Sequence, residues 1–187
     1  YLGGTISAPE EFIAAAEAFS YVDLPWVGTM SFDTAGRTMM GTSPTTMVEL
    51  MSSISNKPIA FGANCGTGAS DLIRTIQEFS KFSPDSNLVA KGNAGIPKYV
   101  NGQIHYDGTP DLMAKYAIMA RNSGAKIIGG CCGTKPEHLL SMRASLENEN
   151  LGNSPSLEQV ELEIGPFSSP FRKEIKRSAS KRKRRKA

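Results

Sequence analysis

The chain has 187 residues, of which 40% are hydrophobic and 21% charged, and it carries a formal net charge of +3. These proportions are typical of a globular protein, and no apolar run approaches the ~20 residues of a membrane-spanning helix, which excludes that class. Three cysteines, two of them adjacent, do not form the pattern of a secreted disulfide framework, so we expect a cytoplasmic protein.

The first predicted element is a helix over Pro9–Phe19. Four short apolar runs follow at intervals of roughly 30–40 residues, and each leads into a helical pattern. These predicted strands cover residues 25–30, 58–63, 87–91 and 125–129. Short strands that alternate with helices predict an α/β fold with a parallel sheet.

Local signals mark where the helices begin. Ser7 with Glu10, and Thr134 with Glu137, have the spacing of a capping box. Residues 43–44 and 109–110 place a serine or a threonine directly before a proline, which predicts an N-cap and the first helical position.

Glycine-rich and polar segments follow the predicted strands, at residues 30–33, 62–65, 91–95 and 129–134. Both a doubly wound sheet and a (βα)8 barrel bind ligands at the carboxyl ends of their strands. A closed barrel usually needs ~250 residues. We therefore expect the chain to be a fragment that supplies about half of a barrel, if the fold is of that type.

The three cysteines lie in two of these segments, Cys65 in Gly-Ala-Asn-Cys and Cys131 with Cys132 in Gly-Gly-Cys-Cys-Gly-Thr. On a glycine-flanked turn, adjacent sulfurs can converge on one point. Three thiolates suit zinc and leave a fourth position open, which is typical of a catalytic site. Such a sulfur-rich site would activate an incoming thiol by lowering its pKa.

Two alternatives compete with this metal site. Free cysteines are often buried core residues, and Cys131 and Cys132 are adjacent, which allows a vicinal disulfide. The flanking glycines and the shared sheet edge favour the metal site over both.

The segments at residues 62–65 and 129–134 resemble the zinc-binding signatures of the homocysteine S-methyltransferase family, over roughly residues 1–147. Further similar stretches lie at residues 28–41, 90–97 and 108–117. The resemblance implies a TIM-type (βα)8 barrel, of which this chain holds about the last four βα units. It also implies that Cys65, Cys131 and Cys132 are the ligands of one Zn²⁺.

The activity implied by the resemblance is zinc-dependent methyl transfer to the zinc-bound thiolate of homocysteine, which gives methionine. Betaine is the expected donor, with S-methylmethionine and methylfolate as alternatives. Asn64 is a candidate for orienting homocysteine or for a hydrogen bond within its own turn. Gly4 stands where family members usually carry a glutamate that contacts the homocysteine amino group. His105 and Tyr106 lie in a polar loop, where solvated side chains are expected.

The predicted domains are a partial barrel over residues 1–147, a polar linker over 148–170 and a basic, disordered tail over 171–187. Residues 172–187 contain ten of the 21 Lys and Arg residues and one of the 18 acidic residues, Glu174, so the rest of the chain has a net charge of −6. We expect a solvated tail and small-molecule partners, without membrane or nucleic acid; homo-oligomer formation stays open. The alternative functions are an inactive half-barrel and nucleic-acid association through the tail.

Overall fold

The computed structural model describes residues 1–33 and 35–169, which form a five-stranded parallel sheet, a two-stranded hairpin and six helices. The parallel strands are β1 (Leu2–Ile6), β2 (Val27–Met30), β3 (Ala60–Cys65), β4 (Leu88–Gly92) and β7 (Ala125–Gly130). The antiparallel hairpin joins β5 (Lys98–Val100) to β6 (Gln103–His105). The helices are α1 (Pro9–Phe19), α2 (Pro44–Ser53), α3 (Ala69–Phe82), α4 (Pro110–Asn122), α5 (Pro136–Asn148) and α6 (Leu157–Ile164).

The strand order β1-β2-β3-β4-β7 follows the chain without reversal. A doubly wound sheet reverses its order at a switch point, whereas a βα barrel does not. The order therefore confirms the barrel-type arrangement, and the four strands predicted from the sequence are all present. The sheet has one strand more than predicted. The additional strand, β1, was not predicted because its sequence, Leu-Gly-Gly-Thr-Ile, contains no apolar run.

Two of the four predicted helix starts are confirmed by hydrogen bonds. The hydroxyl oxygen of Ser43 accepts from the backbone N–H of Thr46 at 3.1 Å, and that of Thr109 accepts from Leu112 at 3.2 Å. Each satisfies a backbone donor that the first helical turn leaves free.

The two predicted capping boxes are wrong. The N-cap residues of α1 and α5 are Ala8 and Lys135, one position later than predicted, because each directly precedes the proline that opens the helix. In α5 a histidine replaces the expected acid: Nδ1 of His138 accepts the backbone N–H of Lys135 at 2.8 Å.

The two faces of the sheet differ because side chains alternate along each strand. One face packs on the helices, and there Phe61 meets Phe79 of α3 edge-on, with ring centroids 5.7 Å apart. The strand residues in this core include Met30, Phe61, Ala63, Leu88 and Ala90. The alternate positions, among them Asn64 and Lys91, lie on the opposite face, which we call the inner face.

Residues 148–169 do more than link two regions, since they contain α6. Val160 and Ile164 are one helical turn apart and are both buried, whereas Leu162 between them is 87% exposed. After α6 the chain packs on the start of α3, where the Ser70 hydroxyl donates to the carbonyl of Gly165 at 2.6 Å. The predicted boundary at residue 147 stays a prediction, and the basic tail lies outside the described residues.

None of the helices within residues 1–33 and 35–169 combines the length and the apolar composition that crossing a membrane requires.

Candidate metal centre

The three cysteines lie where two parallel strands end. Cys65 is the last residue of β3, with a positive φ of 60°, and Gly66 continues the turn with a φ of 73°. Cys131 and Cys132 directly follow β7. Both strands are hydrogen-bonded neighbours of β4, so their carboxyl ends flank the end of that strand on either side.

The three thiols converge. The sulfur of Cys132 is 3.6 Å from that of Cys65 and 4.0 Å from that of Cys131, and all three sulfurs lie within 4.8 Å of one another. A tetrahedral zinc site with Zn–S bonds of ~2.3 Å places its sulfurs ~3.8 Å apart. The donor atoms and their spacing therefore fit zinc, and the three ligands leave the fourth position open.

Neither alternative for the cysteines matches the structure. All three thiols are free, and Cys132 is exposed while Cys65 and Cys131 are half-buried. The sulfur separation of 4.0 Å between the adjacent cysteines is about twice the length of a disulfide bond. The cluster is thus neither a set of buried core thiols nor a vicinal disulfide.

A buried asparagine joins the two cysteine-bearing turns. Asn93 follows β4 and is 1% exposed. Its amide nitrogen donates to the carbonyl of Gly66 at 2.9 Å, and its amide oxygen accepts the backbone N–H of Cys132 at 3.1 Å. The Asn93 side chain therefore bridges the turn of Cys65 and that of Cys132 through one hydrogen bond to each. The sequence analysis placed residues 91–95 at this edge but did not single out Asn93.

Asn93→Ala is expected to weaken zinc binding by about 10–100-fold, the range found when residues that orient metal ligands are removed. The loss follows because both cysteine turns lose their shared partner. Competition with a chromophoric chelator measures the effect. The matched control is Asn87→Ala, at the other end of the same strand, where the amide donates to the carbonyl of Ile59. Equal zinc affinity in the two variants would contradict the bridging role of Asn93.

Asn64 connects the cluster to the edge strand. Its amide nitrogen donates to the hydroxyl of Thr5 at 2.7 Å and lies 3.8 Å from the sulfur of Cys131. The bond thus crosses to β1 and does not stay within the turn of Asn64. Its amide oxygen is buried and has no partner among the described residues, and the same holds for the hydroxyl of Thr29. This side of the inner face therefore offers polar atoms to a ligand.

Tyr106 reaches the cluster from the hairpin. Its ring packs so closely on Gly133 that a Cβ built there would lie 2.4 Å from Cγ of Tyr106. Burial and a hydrogen bond with the Cys132 thiol raise the pKa of Tyr106. His138 binds the segment that follows the hairpin: its Nε2 donates to the carbonyl of Gly108 at 3.0 Å. Of the pair expected to be solvated, His105 is exposed and Tyr106 is half-buried.

Comparison with known proteins identifies the family. A family model described as homocysteine S-methyltransferase matches residues 1–146. The chain belongs to the homocysteine S-methyltransferase family.

Solved structures of the homocysteine methyltransferase MmuM from Escherichia coli share the fold. The apo form has a TM-score of 0.62 and 21% identity, over 77% of this chain and 48% of that one. The metallated form has a TM-score of 0.61 and 22% identity, over 76% and 43% of the two chains. The present chain thus spans less than half the length of MmuM and forms part of a TIM-type barrel.

Gly4, the position where the sequence resemblance implies a glutamate in other members, lies on the inner face. A Cβ built at Gly4 would be 2.4 Å from the hydroxyl of Thr29 and 3.4 Å from the amide oxygen of Asn64. A side chain at this position would therefore displace Thr29. The two unpartnered oxygens lie where that side chain would begin.

The thiols of Cys65 and Cys131 differ in pKa. Burial, the hydrogen bond with Cys132 and the nearby Cys131 raise the pKa of Cys65 to about 11. Burial also acts to raise the pKa of Cys131, but hydrogen bonds from the Asn64 amide and the Cys132 backbone outweigh it and lower that pKa. The Cys131 thiol therefore ionises more readily than the Cys65 thiol.

Zinc affinity is expected to rise with pH between pH 6 and 9. Because the pKa of Cys65 is raised to about 11, its thiol is protonated throughout this range and must release a proton when zinc binds. Each proton released raises the apparent affinity about tenfold per pH unit. Chelator competition at several pH values tests this, and an affinity independent of pH would contradict thiolate ligation.

Proposed function

We propose that this chain is a zinc-dependent S-methyltransferase that methylates the sulfur of homocysteine to form methionine, with betaine as the methyl donor. The observation that carries the proposal is the convergence of Cys65, Cys131 and Cys132 at separations that suit tetrahedral zinc. The family supports homocysteine as the acceptor. Betaine is the donor proposed from the sequence resemblance, and S-methylmethionine and methylfolate are the alternatives.

The cysteine sulfurs would hold the zinc and leave the inner face free for substrate. Zinc bound there would lower the pKa of an incoming thiol, so that the thiol would bind as a thiolate. Asn64 would orient homocysteine through its unpartnered amide oxygen. The homocysteine sulfur gains its methyl group as the bond from that methyl to the donor breaks, so no general base of the chain is required. The residues of the chain act by positioning the two reactants.

Methionine formation from homocysteine tests the proposal directly. The zinc-loaded full chain is incubated in parallel with betaine, S-methylmethionine and methylfolate, and its zinc content is measured on the same sample. Methionine from betaine supports the full proposal. If methionine forms only with another donor, betaine is not the methyl donor. If zinc binds but no methionine forms with any donor, the alternative of an inactive half-barrel is favoured.

The proposed partners are therefore small molecules, homocysteine and a methyl donor. Three free thiols are compatible with a reducing compartment, and the cytoplasm stays the proposed location. The alternative role of the basic tail predicts nucleic-acid binding that weakens with salt and disappears when residues 172–187 are deleted.

A further inference from the structure

Lys91 is placed on the inner face beside the cysteine cluster. It lies in β4, where it pairs with Asn64 of β3 and with Gly129 of β7. Residues that pair across a parallel sheet point to the same side, so Lys91 shares the face of Asn64. A Cβ built at Gly129 would lie 3.7 Å from Cγ of Lys91, so the lysine side chain runs over the strand that leads to Cys131.

The ammonium group of Lys91 has no carboxylate partner among residues 1–33 and 35–169. The ion pairs in these residues are Asp71–Arg74, Lys98–Asp107 and Arg143–Glu147. Lys91 is nevertheless half-buried, and burial lowers its pKa while the nearby Cys131 raises it. A partly desolvated charge is unfavourable unless it is paired. An anion bound beside the Lys91 ammonium would therefore be stabilised by it.

The neighbouring groups complement this cation. The amide oxygen of Asn64, its partner on β3, is buried and accepts no hydrogen bond from the described residues. A molecule at the inner face thus meets an anion-binding ammonium, a free hydrogen-bond acceptor and three converging thiols. An amino-acid thiol carries the three matching groups, namely a carboxylate, an ammonium and a sulfur.

We propose that Lys91 is the carboxylate subsite of the metal centre and selects thiols that carry an α-carboxylate. This inference rests on the proposed function, because the sulfur of the same molecule must enter at the cysteine cluster. The competing role for Lys91 is to balance the negative charge of three thiolates. Charge balance would affect every metal-bound state alike and would not distinguish thiols with a carboxylate from thiols without one.

Two probe thiols separate these roles: homocysteine and 3-aminopropanethiol, which is homocysteine without its carboxylate. The full chain is loaded with cobalt(II), and binding of each thiol is followed by the sulfur-to-cobalt absorption bands. Lys91→Met is expected to weaken homocysteine binding about tenfold or more, as the loss of a hydrogen bond to a charged group predicts. Binding of 3-aminopropanethiol should stay unchanged, and Lys91→Arg should restore part of the preference.

Lys126→Met is the matched control, because Lys126 lies near the amino end of β7 and donates to the carbonyl of Asp85, at the opposite end of the strands from the cysteines. It should bind both thiols as the unchanged chain does. Equal weakening of both thiols in Lys91→Met, or an unchanged preference for homocysteine, would overturn the carboxylate subsite while leaving the metal centre intact. A failure of the unchanged chain to bind cobalt would overturn the metal centre itself, and the subsite with it.

Discussion

Cys131→Ala is expected to lower the zinc affinity of the chain by more than 100-fold, beyond the ~10–100-fold loss caused by removing a residue that only orients the ligands. Cys131 is 4.0 Å from Cys132 and receives the Asn64 amide at 3.8 Å, so its loss removes both a ligand and the contact that favours its thiolate. Two sulfurs remain in the cluster, and two ligands rarely hold zinc in competition with water.

Elemental analysis after dialysis against a weak chelator measures this effect as zinc per chain. Cys65→Ala and Cys132→Ala should behave alike, because the three sulfurs lie within 4.8 Å of one another and would each supply one ligand. Ser31→Ala, at the carboxyl end of β2 and outside the cluster, should keep the zinc of the unchanged chain. Retention of full zinc by Cys131→Ala would rule out the three-sulfur site.

Arg74→Met is expected to lower the free energy of unfolding by about 3–5 kcal/mol, the usual cost of removing one partner of a buried ion pair. Arg74 and Asp71 form such a pair on α3. The same carboxylate accepts from the hydroxyl of Thr67 at 2.9 Å and from the backbone N–H of Ser168 at 3.0 Å. Without the arginine, its negative charge would be buried with only neutral partners.

Urea unfolding measures this loss, with two controls. In Arg74→Met combined with Asp71→Leu, much of the stability should return, because no uncompensated charge remains. Arg143→Met breaks an exposed pair with Glu147 and should leave stability almost unchanged. If Arg74→Met and Arg143→Met were equally stable, the pair on α3 would contribute nothing special to the fold.

The elements that the sequence predicted correctly are those with a local cause. The strands β2, β3, β4 and β7 are short apolar runs, and α1 begins at a proline, so each pattern is visible within a few residues. The elements that it missed have no such pattern. β1 is rich in glycine and pairs with β2, and the hairpin of β5 and β6 consists of exposed residues.

The packing of α6 shows why a local pattern can mislead. Residues 160–164 alternate between apolar and acidic side chains, which suggests a strand. The segment is instead a helix. Val160 and Ile164 are buried where α6 contacts α3 and α4, and a capping box of Ser156 and Gln159 marks its start. The cap at Ser156 is a local signal, whereas the burial of Val160 and Ile164 depends on helices that lie far away in the sequence.

The sequence by itself determined that Cys65, Cys131 and Cys132 follow strands, because the glycines around them and the apolar runs before them are local features. Only the tertiary structure decided that their sulfurs lie within 4.8 Å of one another, through the placement of β3 and β7 on either side of β4. The same placement gave Asn93 and Lys91 their proposed roles. A side chain that bridges two turns, or that faces a cluster on neighbouring strands, contacts residues distant in the sequence. Its role therefore cannot be predicted from the residues next to it in the chain.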